Sequence, residues 1–245
     1  MTMLSDAHLR KAIIGAVSFV ICACILSQIM MQMGGGPRDE GIDISDQLDM
    51  SPVDLCEGDA CLIFEDGLPP FISSAGAFYP ERAIFDAAIG IGGLMMIAFS
   101  FEAFHRTKPE SEVRKIANVC GLISGVGIGF SMFNIIVYPF NTELLLHIFY
   151  ALVVFWGALF WAICMTFARK ELDRDITWKN WEINQIRTTL CSVIIFSFIL
   201  MSILVNIGEF VAAAIFEWML MFASQGFLLT FIPILEITDA QQSSN

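Results

Sequence analysis

Residues 144–167 read LLLHIFYALVVFWGALFWAICMTF, a run of 24 residues that contains no Asp, Glu, Lys or Arg. A helix rises about 1.5 Å per residue, so about 20 apolar residues cross a hydrocarbon core of about 30 Å. The run is too long for a strand of a membrane barrel and does not alternate polar and apolar residues. It therefore predicts a transmembrane α-helix.

Five other segments meet the same criterion. The six predicted spans lie at about residues 12–33, 83–103, 116–137, 144–167, 189–207 and 211–235. The first could be a signal peptide, but its apolar run of about 22 residues exceeds the usual signal-peptide core of about 7–15, so we expect a retained helix. The predicted fold class is all-α, a single six-transmembrane-helix bundle over residues 1–245 with one long loop over residues 34–82.

The composition fits this class. The 245-residue chain is 56% hydrophobic and 16% charged, whereas soluble domains are about 25% charged. This difference excludes an ordinary soluble enzyme and a disordered regulator. The net charge of −12 argues against nucleic acid as a partner, because binding a polyanion needs an excess of Lys and Arg. The expected partners are membrane lipids.

The basic residues predict the orientation. Eleven of the 13 Lys and Arg residues precede the first span or lie between spans 2 and 3 or spans 4 and 5, and only Arg38 and Arg82 lie on the other side. The positive-inside rule therefore places both termini in the cytosol. The 34–82 loop then faces the lumen or the outside. Its 11 acidic residues indicate a solvated surface; weak calcium binding is the alternative, although no EF-hand spacing is present.

Cys56 and Cys61 lie in this loop, whereas the other five cysteines lie inside predicted spans. An oxidising compartment favours a disulfide between the two. A metal pair is the alternative, disfavoured because no His lies nearby. His147 is the only His on the luminal side, so a His₃ or His₂Glu zinc site cannot form there. We expect no metal and no cofactor.

Gly121, Gly125 and Gly129 recur every four residues in the third span. Such a stripe lets another helix backbone approach closely, and this approach matters in lipid because the solvent supplies no hydrophobic drive between helices. The stripe indicates packing inside the bundle. A homodimer through this face is the alternative.

Polar side chains inside the spans need a reason, because a charged group at mid-span costs about 2.5–3.5 kcal/mol on insertion scales. Five of them lie at one predicted level near the lumen: Asp86, Asn134, His147, Asn206 and Glu217. One interpretation is a pocket for a lipid headgroup, in which His147 beside Asp86 or Glu217 forms an acid–base pair. The alternative is structural, with His147 satisfying one carboxylate and the rest reaching the interface. His147 and Glu217 are the candidates for catalysis.

Three stretches resemble one known family. They are the luminal motif of Pro70, Ser73, Gly76, Pro80 and Glu81, the start of span 4 at His147, and Ile215-Phe216-Glu217-Trp218 in span 6. They resemble the damage-regulated autophagy modulators, a six-helix family that also contains the post-GPI-attachment lipid-remodelling factors and a yeast regulator of phosphoinositide synthesis. The resemblance implies six spans and a cytosolic N-terminus, and it singles out Glu81, His147 and Glu217. The long acidic loop departs from the autophagy branch.

Three functional hypotheses follow. The first is a non-enzymatic membrane protein of lipid handling, trafficking or autophagy that binds a lipid at the luminal polar pocket. The second is a factor in GPI-anchor lipid remodelling, with His147 and Glu217 performing acyl-transfer proton chemistry. The third is a scaffold that recruits a cytosolic partner such as a phosphoinositide kinase complex. We expect an integral protein of the endomembrane system (Golgi or lysosome) or of the plasma membrane.

Overall fold

The computed structural model describes residues 4–32, 71–139 and 141–235. These residues form six long helices: α1 (Asp6–Gln32), α2 (Glu81–Arg106), α3 (Glu112–Val137), α4 (Leu144–Arg169), α5 (Ile183–Asn206) and α6 (Phe210–Leu229). All six are long and apolar enough to cross a membrane. The predicted fold class, an all-α membrane protein with six spans, is confirmed.

All six helices extend at one end or both beyond the apolar runs that predicted them, and α6 ends at Leu229 instead of residue 235. The clearest cases are α1, which begins at Asp6 instead of residue 12, and α5, which begins at Ile183 instead of residue 189. Hydropathy marks only the part of a helix that contacts hydrocarbon. The backbone hydrogen bonds continue through charged residues, most of which are good helix formers.

The helices alternate in direction, so their ends form two faces. The N-terminal face holds the start of α1 and the connections α2–α3 and α4–α5. The opposite face holds the start of α2 and the connections α3–α4 and α5–α6. Helices that are consecutive in the chain pack together, and α1 also contacts α6. This last contact closes the bundle.

A small hairpin at the N-terminal face contains the only strands of the described residues. β1 (Thr177–Trp178) pairs antiparallel with β2 (Trp181–Glu182), so that Trp178 lies opposite Trp181. The two turn residues have positive φ angles of 49° and 71°, as expected for the tight turns that match the twist of a hairpin. Both Trp side chains are exposed, which suits the membrane–water boundary.

The glycine stripe of α3 packs against two helices of the same chain. A Cβ on Gly129 would lie 2.5 Å from the carbonyl oxygen of Gly93 in α2, and one on Gly121 would lie 3.0 Å from Sδ of Met165 in α4. Gly125, between them, is also buried. A homodimer through this face would require α2 or α4 to move away. Dimerisation itself stays a prediction.

The outer surface of the bundle is apolar. Ile123, Leu145 and Val211, for example, are 61–70% exposed. A soluble protein rarely exposes large continuous apolar surfaces, whereas in a bilayer such side chains contact lipid tails that are equally apolar. The surface therefore fits the membrane environment that the helices require.

Candidate functional site

A cavity of about 210 Å³ lies inside the bundle and is lined by residues of all six helices. It follows α1 from Leu9 to Cys24, a length of about 22 Å at the helical rise per residue. Most of its wall is apolar, with side chains such as Ile13, Val17, Met96, Phe155 and Leu220. A long apolar cavity with few polar groups is typical of a site for an apolar or amphiphilic ligand.

Several polar side chains gather at the end of the cavity nearer the opposite face. They come from four elements: Cys24 of α1, Ser73 before α2, His147 of α4 and Glu217 of α6. His147 is 5% exposed and Glu217 is 7% exposed, so both are withdrawn from lipid and water. The structure thus brings together two of the five residues of the predicted pocket. We call this end of the cavity the polar end.

Residues 71–76, which we call the plug segment, lie at the polar end, where Ile72 and Ser73 line the cavity. The plug segment contains the 3-10 helix Ile72–Gly76. Oε2 of Glu217 accepts a hydrogen bond of 2.6 Å from the backbone N–H of Ile72. Nε2 of Gln28 donates to the carbonyl oxygens of Phe71 and Ile72, both at 3.0 Å. Side chains of α1 and α6 therefore hold the plug segment by its backbone.

Small residues allow the plug segment to pack inside the helix ends. Ser74 and Ala75 are buried. A Cβ on Gly76 would lie 2.7 Å from the ring of Phe85 in α2. Gly76 was part of the motif predicted from the sequence, and the close approach to Phe85 gives a physical reason for a glycine at this position.

Three other motif residues have simpler placements. Pro80 is exposed and immediately precedes α2, where a proline is well tolerated. Glu81, the first residue of α2, is only 1% exposed. Pro70 lies outside the described residues.

A hydrogen bond fixes the orientation and the tautomer of the His147 ring. Nδ1 lies 2.9 Å from the carbonyl oxygen of Tyr138. A carbonyl oxygen only accepts, so Nδ1 carries the proton, and in the neutral ring Nε2 is an acceptor. The connection between α3 and α4 thereby orients the imidazole at the polar end.

The structure does not bring the other three predicted residues to the cavity. Asp86 is half-buried and pairs with Arg82 on the same helix at 3.3 Å. The amides of Asn134 and Asn206 each donate to a carbonyl oxygen one turn earlier in their own helix, at 2.9 and 2.7 Å. The expectation of a pocket built from five spans is corrected to two of its residues, because sequence position gives depth but not rotation about the helix axis.

The described residues contain no group of three or more His, Cys, Asp and Glu side chains that could hold a metal ion. Cys56 and Cys61 lie outside the described residues, so their disulfide stays a prediction.

A buried charge network at the N-terminal face was not predicted from the sequence. Asp173 receives hydrogen bonds from Arg169 (2.8 Å, twice) and from Arg187 (2.5 Å). Arg169 also donates to Thr107, and Arg187 donates to Thr230. Arg187 and Asp173 are 0% and 1% exposed. The network joins the ends of α2, α4, α5 and α6.

The surroundings of Asp173, which lies outside the spans, have opposing effects on its ionisation. Burial opposes the charged form. The hydrogen bonds and positive charges of Arg169 and Arg187 outweigh the burial and hold the pKa of Asp173 below its ordinary value. A carboxylate is thus the stable form here, as an interior salt bridge requires.

One comparison with known proteins gives a match. The model of the family described as the Frag1/DRAM/Sfk1/Cwh43P N-terminal domain matches residues 55–235. The match includes the plug segment, His147 and Glu217. No curated protein and no solved structure matches the chain.

Proposed function

The chain belongs to the Frag1/DRAM/Sfk1/Cwh43P family, and we propose that it binds a membrane lipid in the bundle cavity. The observation that carries this proposal is an apolar cavity about as long as one bilayer leaflet or more, ending in the buried side chains of His147 and Glu217. The protein would act in lipid handling or trafficking in the endomembrane system or the plasma membrane. In this proposal the N-terminal face is cytosolic and the polar end lies toward the lumen or the outside.

The chemistry of the polar end favours a headgroup that donates hydrogen bonds. The Glu217 carboxyl group and Nε2 of His147 are acceptors, and the hydroxyl of Ser73 can accept or donate. A phosphate would bring more acceptors to these groups and leave its own charge poorly compensated. We therefore propose a lipid whose head is a hydroxyl or an amine, with its acyl chain or ring system along the apolar wall.

The first experiment identifies and quantifies the lipids that co-purify with the protein. They are extracted into organic solvent, and the extract is analysed by mass spectrometry. Ala16 lines the cavity, so Ala16→Phe should fill it and reduce the bound lipid severalfold. Ser18, on the outer surface of the same helix, gives the matched control Ser18→Phe, which adds the same bulk toward the bilayer. Equal lipid content in both variants and in the wild type would reject the proposal.

The headgroup is tested by a second pair of variants. Glu217→Gln keeps the shape of the side chain but weakens its acceptor, and it should change which lipid class is retained. Asp86→Asn makes the same change outside the cavity and should leave the lipid profile unchanged. Monodisperse elution of all variants in size-exclusion chromatography shows that the fold is kept.

One observation favours a second candidate function, acyl transfer in GPI-anchor lipid remodelling. His147 and Glu217 line the same cavity, and Nε2 of His147 could take a proton from a lipid hydroxyl. His147→Ala should then give a folded, correctly sorted protein that cannot restore anchor remodelling in a null cell. Full restoration by this variant would reject the enzyme and leave the binding protein.

The scaffold hypothesis has a smaller surface available to it. Arg169 and Arg187 of the α4–α5 region are buried, which leaves Lys170, Arg174 and Lys179 as its exposed basic residues. Charge reversal at these three should abolish capture of a cytosolic partner without changing the bound lipid. Undiminished capture would reject the hypothesis.

A further inference from the structure

A second cavity, of about 310 Å³, opens at the N-terminal face. Its lining has a simple division. Every polar residue that lines it is basic: His105, Arg106, Lys108 and Arg169. The remaining lining residues are apolar: Leu9, Phe99, Ala103, Phe231, Ile234 and Leu235. We call it the basic cavity.

The two arginines are fixed in place and still have donors to offer. Arg106 donates from Nε to Glu102, from Nη1 to Asp6 and from Nη2 to the carbonyl oxygen of Leu4. Arg169 uses its three nitrogens once each, on Asp173 and Thr107. A guanidinium group has five N–H donors, so each of these arginines has two N–H groups that these hydrogen bonds do not use.

The other two basic residues lie at the mouth. Lys108 is exposed and, among the described residues, makes no hydrogen bond or ion pair. His105 is also exposed, with its ring against the edge of Phe104. The cavity therefore combines two rigid guanidinium groups in its wall with an unpaired ammonium group at its opening.

We propose that the basic cavity binds the phosphate group of an anionic phospholipid. An all-basic polar lining selects an anion, and Arg and Lys are the residues that bind phosphate best. A free anion would make no favourable contact with the apolar part of the lining. In this proposal the first carbons of a lipid chain pack against it. Basic pockets between the ends of transmembrane helices suit phospholipid headgroups for this reason.

This site is separate from the one in the proposed function. The basic cavity lies at the N-terminal face, whereas His147 and Glu217 lie toward the opposite face. Leu9 and Phe99 line both cavities, so the two cavities are adjacent there. Failure of either proposal leaves the other standing, because the tests use different lipids and different residues.

The test measures phosphatidic acid binding to the full-length protein in phosphatidylcholine nanodiscs, by native mass spectrometry. The variant is Lys108→Glu, and the matched control is Lys170→Glu, an exposed lysine on the same face that does not line the cavity. Lys108→Glu should weaken binding roughly 10- to 30-fold, and Lys170→Glu should not. Both positions are exposed, so unfolding temperatures should equal that of the wild type.

Glycerol 3-phosphate distinguishes the source of the phosphate. If it fails to compete with phosphatidic acid, the ligand is the lipid, as proposed. If it competes at equal concentration, the cavity is a phosphate site without a lipid requirement, and the role of the apolar lining is overturned. Equal losses in Lys108→Glu and Lys170→Glu, or no preference of the wild type for phosphatidic acid over phosphatidylcholine, would overturn the site itself.

Discussion

Two polar clusters among the described residues satisfy their buried groups in different ways. At the polar end of the cavity, Glu217 and Gln28 bond to the backbone of the plug segment, and His147 bonds to a backbone carbonyl. At the N-terminal face, Asp173 is bonded by the side chains of Arg169 and Arg187. The first cluster is anchored to backbone and lines the bundle cavity, whereas the second consists of charges that bond to one another, with Arg169 also lining the basic cavity.

This difference indicates that the two clusters have different roles, ligand binding at the polar end and structural support in the charge network. The polar end lines the bundle cavity, where a ligand can contact Glu217 and His147. In the charge network, both carboxylate oxygens of Asp173 are used, and the side chains involved come from four separate helix ends. We infer that the network holds the helix ends in register and that the polar end of the cavity recognises a ligand.

The largest effect is expected from breaking the charge network. Asp173→Leu leaves Arg169 and Arg187 buried without their carboxylate, and removal of one partner from a buried ion pair costs about 3–5 kcal/mol. Arg187→Met should cost less, because Asp173 keeps its two hydrogen bonds from Arg169. Thermal unfolding of the detergent-purified variants measures this order.

Arg174→Leu is the control for that series. Arg174 pairs with Glu171 on the surface, with 70% of its side chain exposed, and exposed pairs contribute little to stability. If Asp173→Leu unfolds at the same temperature as Arg174→Leu, the network does not hold the helix ends, and the comparison between the two clusters fails.

A smaller effect is expected at the polar end. Glu217→Ala removes the acceptor of the Ile72 N–H, and a buried donor left without its partner costs about 1–3 kcal/mol. The loss should fall mainly on the plug segment, because Glu217 bonds directly to its backbone. A Ser74→Cys reporter, buried in the wild type, should become reactive to a water-soluble maleimide in the Glu217→Ala background.

Asp86→Ala in the same reporter protein separates this effect from a general loosening. Asp86 pairs with Arg82 and lies outside the cavity, so the reporter should remain protected. Protection in the Glu217→Ala protein as well would mean that Glu217 does not hold the plug segment. In that case its carboxyl group is available to the ligand alone.

The sequence predicted the position of polar residues along their helices better than the direction in which they face around the helix axis. Long apolar runs place residues at a level in the membrane, and the cost of burying a carboxylate identified Glu217. Asp86, Asn134 and Asn206 have similar depths but bond within their own helices. A single sequence with apolar residues on every side of each helix gives no strong signal for the face that turns inward.

The contacts of the plug segment and the charge network were missed for different physical reasons. The plug segment has no helical or alternating pattern, and its burial depends on side chains distant in the sequence, Gln28 and Glu217, that bond to its backbone. Arg187 and Asp173 lie 14 residues apart in a region whose charges suggest an ordinary cytosolic loop. Their pairing depends on where α4 ends and where α5 begins. Hydropathy locates these two boundaries only to within a few residues.

The smallest expected effect concerns pH, and it tests whether Asp173 carries the stability of the network. Its pKa in the folded protein lies below the ordinary value because of Arg169 and Arg187, and the unfolded value is about 3.9. A lowered carboxylate pKa contributes stability above the unfolded pKa, and this contribution is lost as the pH falls through the folded pKa. The difference in unfolding temperature between wild type and Asp173→Leu should therefore stay constant from neutral pH down to about 4 and shrink below it.

Asp175→Leu, at an exposed carboxylate nearby, should show no difference from wild type at any of these pH values. A difference that already shrinks between pH 7 and 5 would mean that a group other than Asp173 controls the network, and the division between a structural and a ligand-binding cluster would need a different basis.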